Sequence, residues 1–170
     1  KHEREHTKIE YLLIKMGRAL GYDIWVASND RSCICMGEKF SELTLAELPK
    51  LGFASEVTDT IRMIDVIWLR RNIVEAAFEV EHSTSIYSGI CRLADLAKSV
   101  PNINFRCYLV GPDEKKEDLA KQLKRPVFDG LKNVEIKYIL YNRLREKKEA
   151  IEQFASDISA LDKIALRAHE

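Results

Sequence analysis

The sequence predicts an α/β domain, a mixed β-sheet with an antiparallel hairpin, flanked by helices and followed by a long C-terminal helix. Two runs rich in β-branched and aromatic residues, 62–69 and 73–81, are joined by only Arg70, Arg71 and Asn72. So short a connection permits an antiparallel pair and forbids a parallel crossover, which needs a dozen residues or more. Beyond Glu81 the pattern alternates helix, strand, helix, strand, with spacings long enough for parallel crossovers. With 170 residues, 46% of them hydrophobic, the chain can bury one sizeable core.

The elements follow in order. Ile9, Leu12, Leu13, Met16, Ala19 and Leu20 recur at helical spacing over residues 3–20, and Gly21 supplies a stop. Residues 22–27 read as a strand, 28–40 as a polar loop, and 43–51 as a short helix ended near Pro49. The hairpin comes next. A helix over 85–100, capped by Ser83 or Thr84, places Ile86, Ile90, Leu93, Ala94 and Ala97 on one face. A strand over 104–110 leads to Gly111-Pro112, a helix over 113–124 that Asp113 can cap, and a last strand over 134–140. Residues 142–168 read as one charged helix with Leu144, Ile151, Phe154, Ile158, Leu161 and Ile164 along a stripe. That stripe packs either on the sheet or against another subunit. The whole is expected to be a single domain over 1–170, with a core over about 6–140.

The 27 basic residues equal the 27 acidic ones, so no net charge draws the chain to nucleic acid over long range. No apolar run approaches the roughly 18 residues of a membrane span, and no membrane partner is expected. Cys33-x-Cys35 lacks a second close pair and does not read as a zinc site. Cys91 and Cys107 lie in apolar stretches and read as buried thiols, which suggests a reducing, cytoplasmic setting. Gly111-Pro112 is a turn rather than a phosphate-binding loop. The opening Lys1, without an initiator Met or signal segment, suggests a domain excised from a longer chain.

The chemistry concentrates in the hairpin. Asp65 is flanked by Ile64 and Val66, and Glu79 follows Ala76, Ala77 and Phe78. Glu79 and Glu81 share a strand face, and a hairpin brings Asp65 beside them. An acid in a buried strand is costly unless paired or ligated. Three converging carboxylates need a counter-charge, and hard divalent ions such as Mg²⁺ or Mn²⁺ suit all-oxygen ligation.

A strand bearing Asp, a short hairpin, a strand ending in acid-x-acid, then a helix and a strand resembles the PD-(D/E)xK nuclease core. The resemblance rests on Asp65 in IDVIW and on Glu79 and Glu81 in FEVE, within residues 9–110. It implies a restriction-endonuclease-like fold in which Asp65 and Glu79 hold Mg²⁺, with Mn²⁺ as substitute. Glu81 then stands where most members carry Lys, as a general base or further metal ligand. Ile64 occupies the place of the family's Pro. The resemblance also implies an acid on the first helix; Glu10, one turn past His6, is the candidate, with Glu56 a weaker one. A solvated surface role is the alternative for both. His82 is expected to contact substrate or to make a structural hydrogen bond. Tyr87 and Arg92 project from the following helix, with Arg92 facing a phosphate or pairing with Asp95. Tyr138 and Tyr141 beside Lys137 and Arg143 form a weak nucleic-acid patch.

The resulting expectation is a Mg²⁺-dependent DNA endonuclease domain, the catalytic module of a restriction or defence protein. A DNA-recognition domain is expected elsewhere in the full chain, and a homodimer is plausible because cutting two strands calls for two sites. The alternative is a non-catalytic structural or protein-interaction domain of the same fold.

Overall fold

The computed structural model describes residues 2–81, 86–99, 105–128, 131 and 134–169. Helix α1 (His2–Ala19) leads into strand β1 (Asp23–Val26), the two-residue strands β2 (Ile34–Cys35) and β3 (Glu38–Lys39), and helices α2 (Phe40–Leu43) and α3 (Ser55–Arg62). The hairpin β4 (Val66–Arg70) and β5 (Ile73–Val80) follows, then α4 (Ile86–Ser99), β6 (Arg106–Gly111), α5 (Lys116–Leu123), β7 (Ile136–Leu140), α6 (Tyr141–Phe154) and α7 (Ser159–Asp162).

Five strands form one mixed sheet in the order β1-β4-β5-β6-β7. The β1–β4 and β4–β5 pairs are antiparallel, and β5–β6 and β6–β7 are parallel. This is the predicted fold class. The hairpin turns through Arg71 and Asn72, both at positive φ (52° and 62°), the backbone that matches strand twist in a two-residue connection. Register slips between Trp68 and Leu69, so that Glu75 has no opposite number. This bulge resets the strand's alternation. Val74 and Ala77 then join the apolar cluster under α3, α4 and α5, while Ala76, Phe78 and Val80 join the one under α1 and α6. Glu79, next to Phe78 and Val80, is thereby aimed at the α4 side.

Under α1, Tyr22, Trp68, Phe78 and Tyr108 form an aromatic row across the sheet, with successive centroids 5.4, 4.8 and 5.3 Å apart. The Trp68 indole N–H donates to the Leu13 carbonyl at 3.1 Å, which satisfies its polar atom inside the core. Gly21 ends α1 at φ +79°, as its sequence position predicts.

Several boundaries differ from the sequence reading. Asp65 precedes β4 rather than sitting mid-strand, because α3 runs to Arg62. The 43–51 segment is not helical; α2 ends at Leu43, and the next helix begins only after Pro49 and Gly52. The 28–40 loop contains the small β2–β3 hairpin. Asp113 does not cap α5; its Oδ2 accepts from the Asn142 N–H at 3.0 Å, near the start of α6.

The largest difference lies at the C-terminus. The 142–168 helix breaks after Phe154, where Ala155 is extended at φ −81°, ψ 136°. Asp157 accepts from the Ser159 N–H at 2.7 Å and starts a new turn. The chain then folds back, and Leu166 makes two backbone hydrogen bonds to Tyr138 of β7, at 2.7 and 2.9 Å. Leu144, Ile151, Ile158, Leu161 and Ile164 are buried, as their spacing predicts, whereas Phe154 is 83% exposed. Cys107 is buried but Cys91 only partly so. No described helix is long and apolar enough to cross a membrane.

Gly17 sets the distance between α1 and the sheet. A Cβ there would lie 2.5 Å from Ile24 Cδ1 and 2.6 Å from the Trp68 ring. Alanine in a helix is favoured over glycine by about 1 kcal/mol, but overpacking typically costs about 1–3 kcal/mol. Gly17→Ala is therefore expected to lower the urea midpoint, and Gly17→Val to lower it further. An unchanged midpoint in both would show that the helix can lift off the sheet freely.

Candidate functional site

The carboxylates gather where β5 ends. Val80 is the last residue of the strand, and Glu81 continues its ladder by donating its N–H to the Val110 carbonyl at 2.8 Å. The Tyr141 hydroxyl, at the start of α6, donates to the Glu81 carbonyl at 2.7 Å and pins that backbone. Glu79 is fully buried and Glu81 is 5% exposed.

Arg92 reaches Glu79 from α4. Its Nε donates to Oε1 at 2.8 Å and its Nη2 to Oε2 at 2.6 Å. Two parallel charge-assisted bonds of this kind fix geometry as well as charge. The helix can approach because residue 89 is glycine: a Cβ there would lie 2.3 Å from Glu81 Oε1 and 3.2 Å from Glu79 Cβ. Glu81 Oε1 thus lies close against Gly89 in the first turn of α4, the end of a helix that favours negative charge.

Asp65 links this side to α1. Its Oδ2 accepts the Val80 N–H at 2.7 Å, and its carbonyl accepts the Ala27 N–H at 3.1 Å. On α1, His6 Nε2 lies 3.2 Å from Glu10 Oε1, one turn along the helix. Asp30 comes from the turn after β1. Ligand atoms of His6, Glu10, Asp30 and Asp65 all lie within 4.8 Å of one another. Glu10 is fully buried, and its Oε2 has no hydrogen-bond partner among the described residues.

These groups reshape one another's protonation. Burial pushes Glu10 up to about 7, opposed by the neighbouring His6. Burial and the Asp65 charge push Glu81 up to about 7, opposed by Arg92. Burial raises Glu79, with Asp65 adding to the rise and Arg92 opposing it. Burial also raises Asp65 and Asp30, against the charge of His6. His6 itself is pulled down by burial, but its close pairing with Glu10 and the surrounding carboxylates carry it up to about 9. Five acids thus face two bases in one connected cluster, an excess of negative charge suited to a cation.

The structure gathers Asp65, Glu79, Glu81 and Glu10, all named by the sequence, into this cluster. Arg92 pairs with Glu79 instead of Asp95. Glu56 is exposed on α3, outside the cluster. Tyr87 is 44% exposed and its ring lies under the Arg125 guanidinium, 4.5 Å away. His82, Ser83 and Thr84 lie outside the described residues. The nucleic-acid patch expected around Tyr138 is corrected: Tyr138 and Tyr141 are buried, Lys137 donates to Asp162 at 3.0 Å, and Arg143 reaches the Ile164 carbonyl. The folding-back of the C-terminal segment covers that surface. Sequence reading missed Asp30, whose Asn29-Asp30-Arg31 setting looks like any polar turn, and treated His6 only as the neighbour of Glu10.

The sequence matches, over residues 1–166, the family described as the type II restriction enzyme NmeDI C-terminal domain. The chain belongs to this family. A curated relative, the type II restriction enzyme NmeDI of Neisseria meningitidis serogroup C, is 32% identical over 152 residues, covering 85% of this chain and 42% of the relative. The chain therefore spans less than half of that relative's length. No solved structure matches it. The expectation of a restriction-endonuclease relative is thus met at the level of the family.

The raised protonation points fix the sign of the pH response. A group that binds protons more tightly when folded stabilises the fold below its unfolded value and loses that contribution as pH rises through its folded value. For Glu10 and Glu81 the loss runs from about 4.5 to about 7, and for His6 from about 6.5 to about 9. The melting temperature of chelator-treated protein is expected to fall steadily from pH 5 to pH 9. Glu10→Gln should flatten both parts of that slope, because Glu10 also raises His6; a slope identical to wild type would remove Glu10 from the titrating cluster.

Proposed function

We propose that this chain is a divalent-metal-dependent DNA endonuclease domain of the PD-(D/E)xK type, the catalytic module of a restriction protein. The observation that supports it is that Asp65 lies beside Glu10 of α1 on one side and interacts with the buried Glu79 and Glu81 on the other, the acids that the family resemblance calls for. The donor chemistry fits a hard divalent cation: carboxylate oxygens dominate, and at least one buried carboxylate oxygen has no hydrogen-bond partner among the described residues. Such a cation would neutralise charge on the scissile phosphate and make an attacking water more acidic.

In this proposal each residue has one task. Asp65, held by the Val80 N–H, presents a carboxylate to the cation. Glu81, raised toward 7, takes a proton from water near neutral pH, where a base is most effective. It stands where most members have Lys. The missing positive charge comes from Arg92, which is one-third exposed while its Glu79 partner is fully buried. Glu79 orients that guanidinium toward a substrate phosphate. We place the protein in the cytoplasm, as one domain of a longer, DNA-reading chain that acts as a homodimer.

A second reading, a non-catalytic domain of the same fold, is favoured by one feature: Arg92 occupies both Glu79 oxygens, where the resemblance expects a metal ligand. Cleavage of plasmid, linear and modified DNA by the full-length protein, with Mg²⁺ and with Mn²⁺, separates the two. Glu79→Gln, which keeps the side-chain shape, is expected to lower the rate at least about 100-fold, a loss of roughly 2.7 kcal/mol in transition-state stabilisation. Glu81→Ala should lose a similar factor, whereas Glu81→Lys retains measurable Mg²⁺-dependent activity. Full-length wild type that cuts no substrate with either ion would establish the non-catalytic reading.

A further inference from the structure

We propose that the cation of this site is held by His6, Glu10, Asp30 and Asp65, between α1 and the turn after β1, and that the His6 imidazole makes it a site for a first-row transition ion such as Mn²⁺ in preference to Mg²⁺ or Ca²⁺. The inference rests on the reading that this end of the sheet binds a divalent ion, and it assigns the donor set.

Geometry separates the two halves of the cluster. On the α4 side, both oxygens of Glu79 are engaged by Arg92, and Glu81 Oε1 is packed against Gly89 in the first turn of α4. A cation there would have to displace a bidentate guanidinium. On the α1 side, four ligand atoms lie within 4.8 Å of one another. Two ligands of one cation can stand at most two bond lengths apart, about 4.2–4.4 Å for bonds of roughly 2.1–2.2 Å, so closure by a few tenths of an ångström completes the site.

Glu10 supplies the independent sign of a ligand. It is fully buried, and its Oε2 has no hydrogen-bond partner among the described residues. An ionised carboxylate in that state is retained only at a cost, which a bound cation removes. His6 and Glu10 come from one face of α1, an i,i+4 pair. The Asp65 orientation is fixed by the Val80 N–H, and Asp30 closes the set from a turn. These four ligands come from three separated stretches of chain. Three carboxylates and a neutral imidazole offset a divalent charge with one unit in excess.

The imidazole decides the class of ion. Mg²⁺ sheds water reluctantly and Ca²⁺ prefers all-oxygen shells of six to eight ligands. A mixed set of one nitrogen and three carboxylates suits Mn²⁺ and its neighbours in the first transition row.

The test uses metal-stripped protein without DNA. Mn²⁺ titrated into it, followed by electron paramagnetic resonance, is expected to bind at one site per chain, at least about tenfold more tightly than Mg²⁺ measured by competition. The spin-echo spectrum of bound Mn²⁺ is expected to show modulation from a coordinated nitrogen, lost in His6→Gln. Asp30→Asn, a change in a turn, should weaken Mn²⁺ at least about tenfold with the melting temperature of the metal-free protein retained. Three results would overturn the assignment: no Mn²⁺ binding, bound Mn²⁺ without nitrogen modulation, or unchanged affinity in Asp30→Asn. Wild type that binds Mn²⁺ with nitrogen modulation but cleaves no DNA would retire the nuclease reading and leave the metal site standing.

Discussion

A carboxylate removed from water must find positive charge or hydrogen-bond donors, and Glu79 finds both in the Arg92 guanidinium. The acid is fully buried and the two bonds measure 2.6 and 2.8 Å. Removing one partner of such a pair strands the other, at a cost of about 3–5 kcal/mol. The pair therefore ties α4 to β5 at the position where acids crowd together. Gly89 permits this, since any larger residue would press against Glu81 and Glu79. The position of α4, and with it the packing of Ile90, Leu93 and Ala94 into the core, follows from a polar contact at the sheet's end as well as from apolar burial.

The same contact divides the acidic cluster. Arg92 pairs with Glu79 on the α4 side, whereas on the α1 side the imidazole of His6 faces three carboxylates, Glu10, Asp30 and Asp65. Asp65 sits between the halves because the backbone leaves it no choice: its carboxylate accepts from β5 while its carbonyl accepts from the end of β1. Such a residue feels every charge around it, and so Arg92 and His6 both lower its protonation point while burial raises it.

The C-terminal segment solves a different problem. Strand β7 lies at the sheet's edge, and an open edge invites pairing with other chains. The fold-back after Phe154 places Leu166 against Tyr138 with two backbone bonds. On the way, the Ile158 N–H donates to the Tyr22 hydroxyl at 3.2 Å, and Asp162 accepts from Arg106, Tyr108 and Lys137. The stripe that looked like one long helix is thus buried in two pieces, with Phe154 left outside at the break.

Local periodicity and connection length were enough to predict the mixed sheet, the hairpin, the two parallel crossovers and the acids at the end of β5. Three residues between two β-rich runs, Arg70, Arg71 and Asn72, permit an antiparallel pair and no parallel crossover. Glu79 and Glu81 lie beside apolar neighbours in the chain itself, whereas Glu10 is singled out by the family resemblance, which implies an acid on the first helix. Packing between distant segments set the rest. Ala155 breaks a helix whose charge and stripe pattern both favour continuation, because Ile158, Leu161 and Leu166 gain burial only by turning back. The bulge at Glu75, invisible as a spacing, sets which face Glu79 takes. Asp30 enters the cluster through the path of a polar turn, and Arg92 chooses Glu79 over its neighbour Asp95 because burial makes an unpaired Glu79 the more costly of the two. Contacts between residues distant in the chain depend on where helices settle on the sheet, and that is fixed by the close approaches at Gly17 and Gly89 rather than by any local signal.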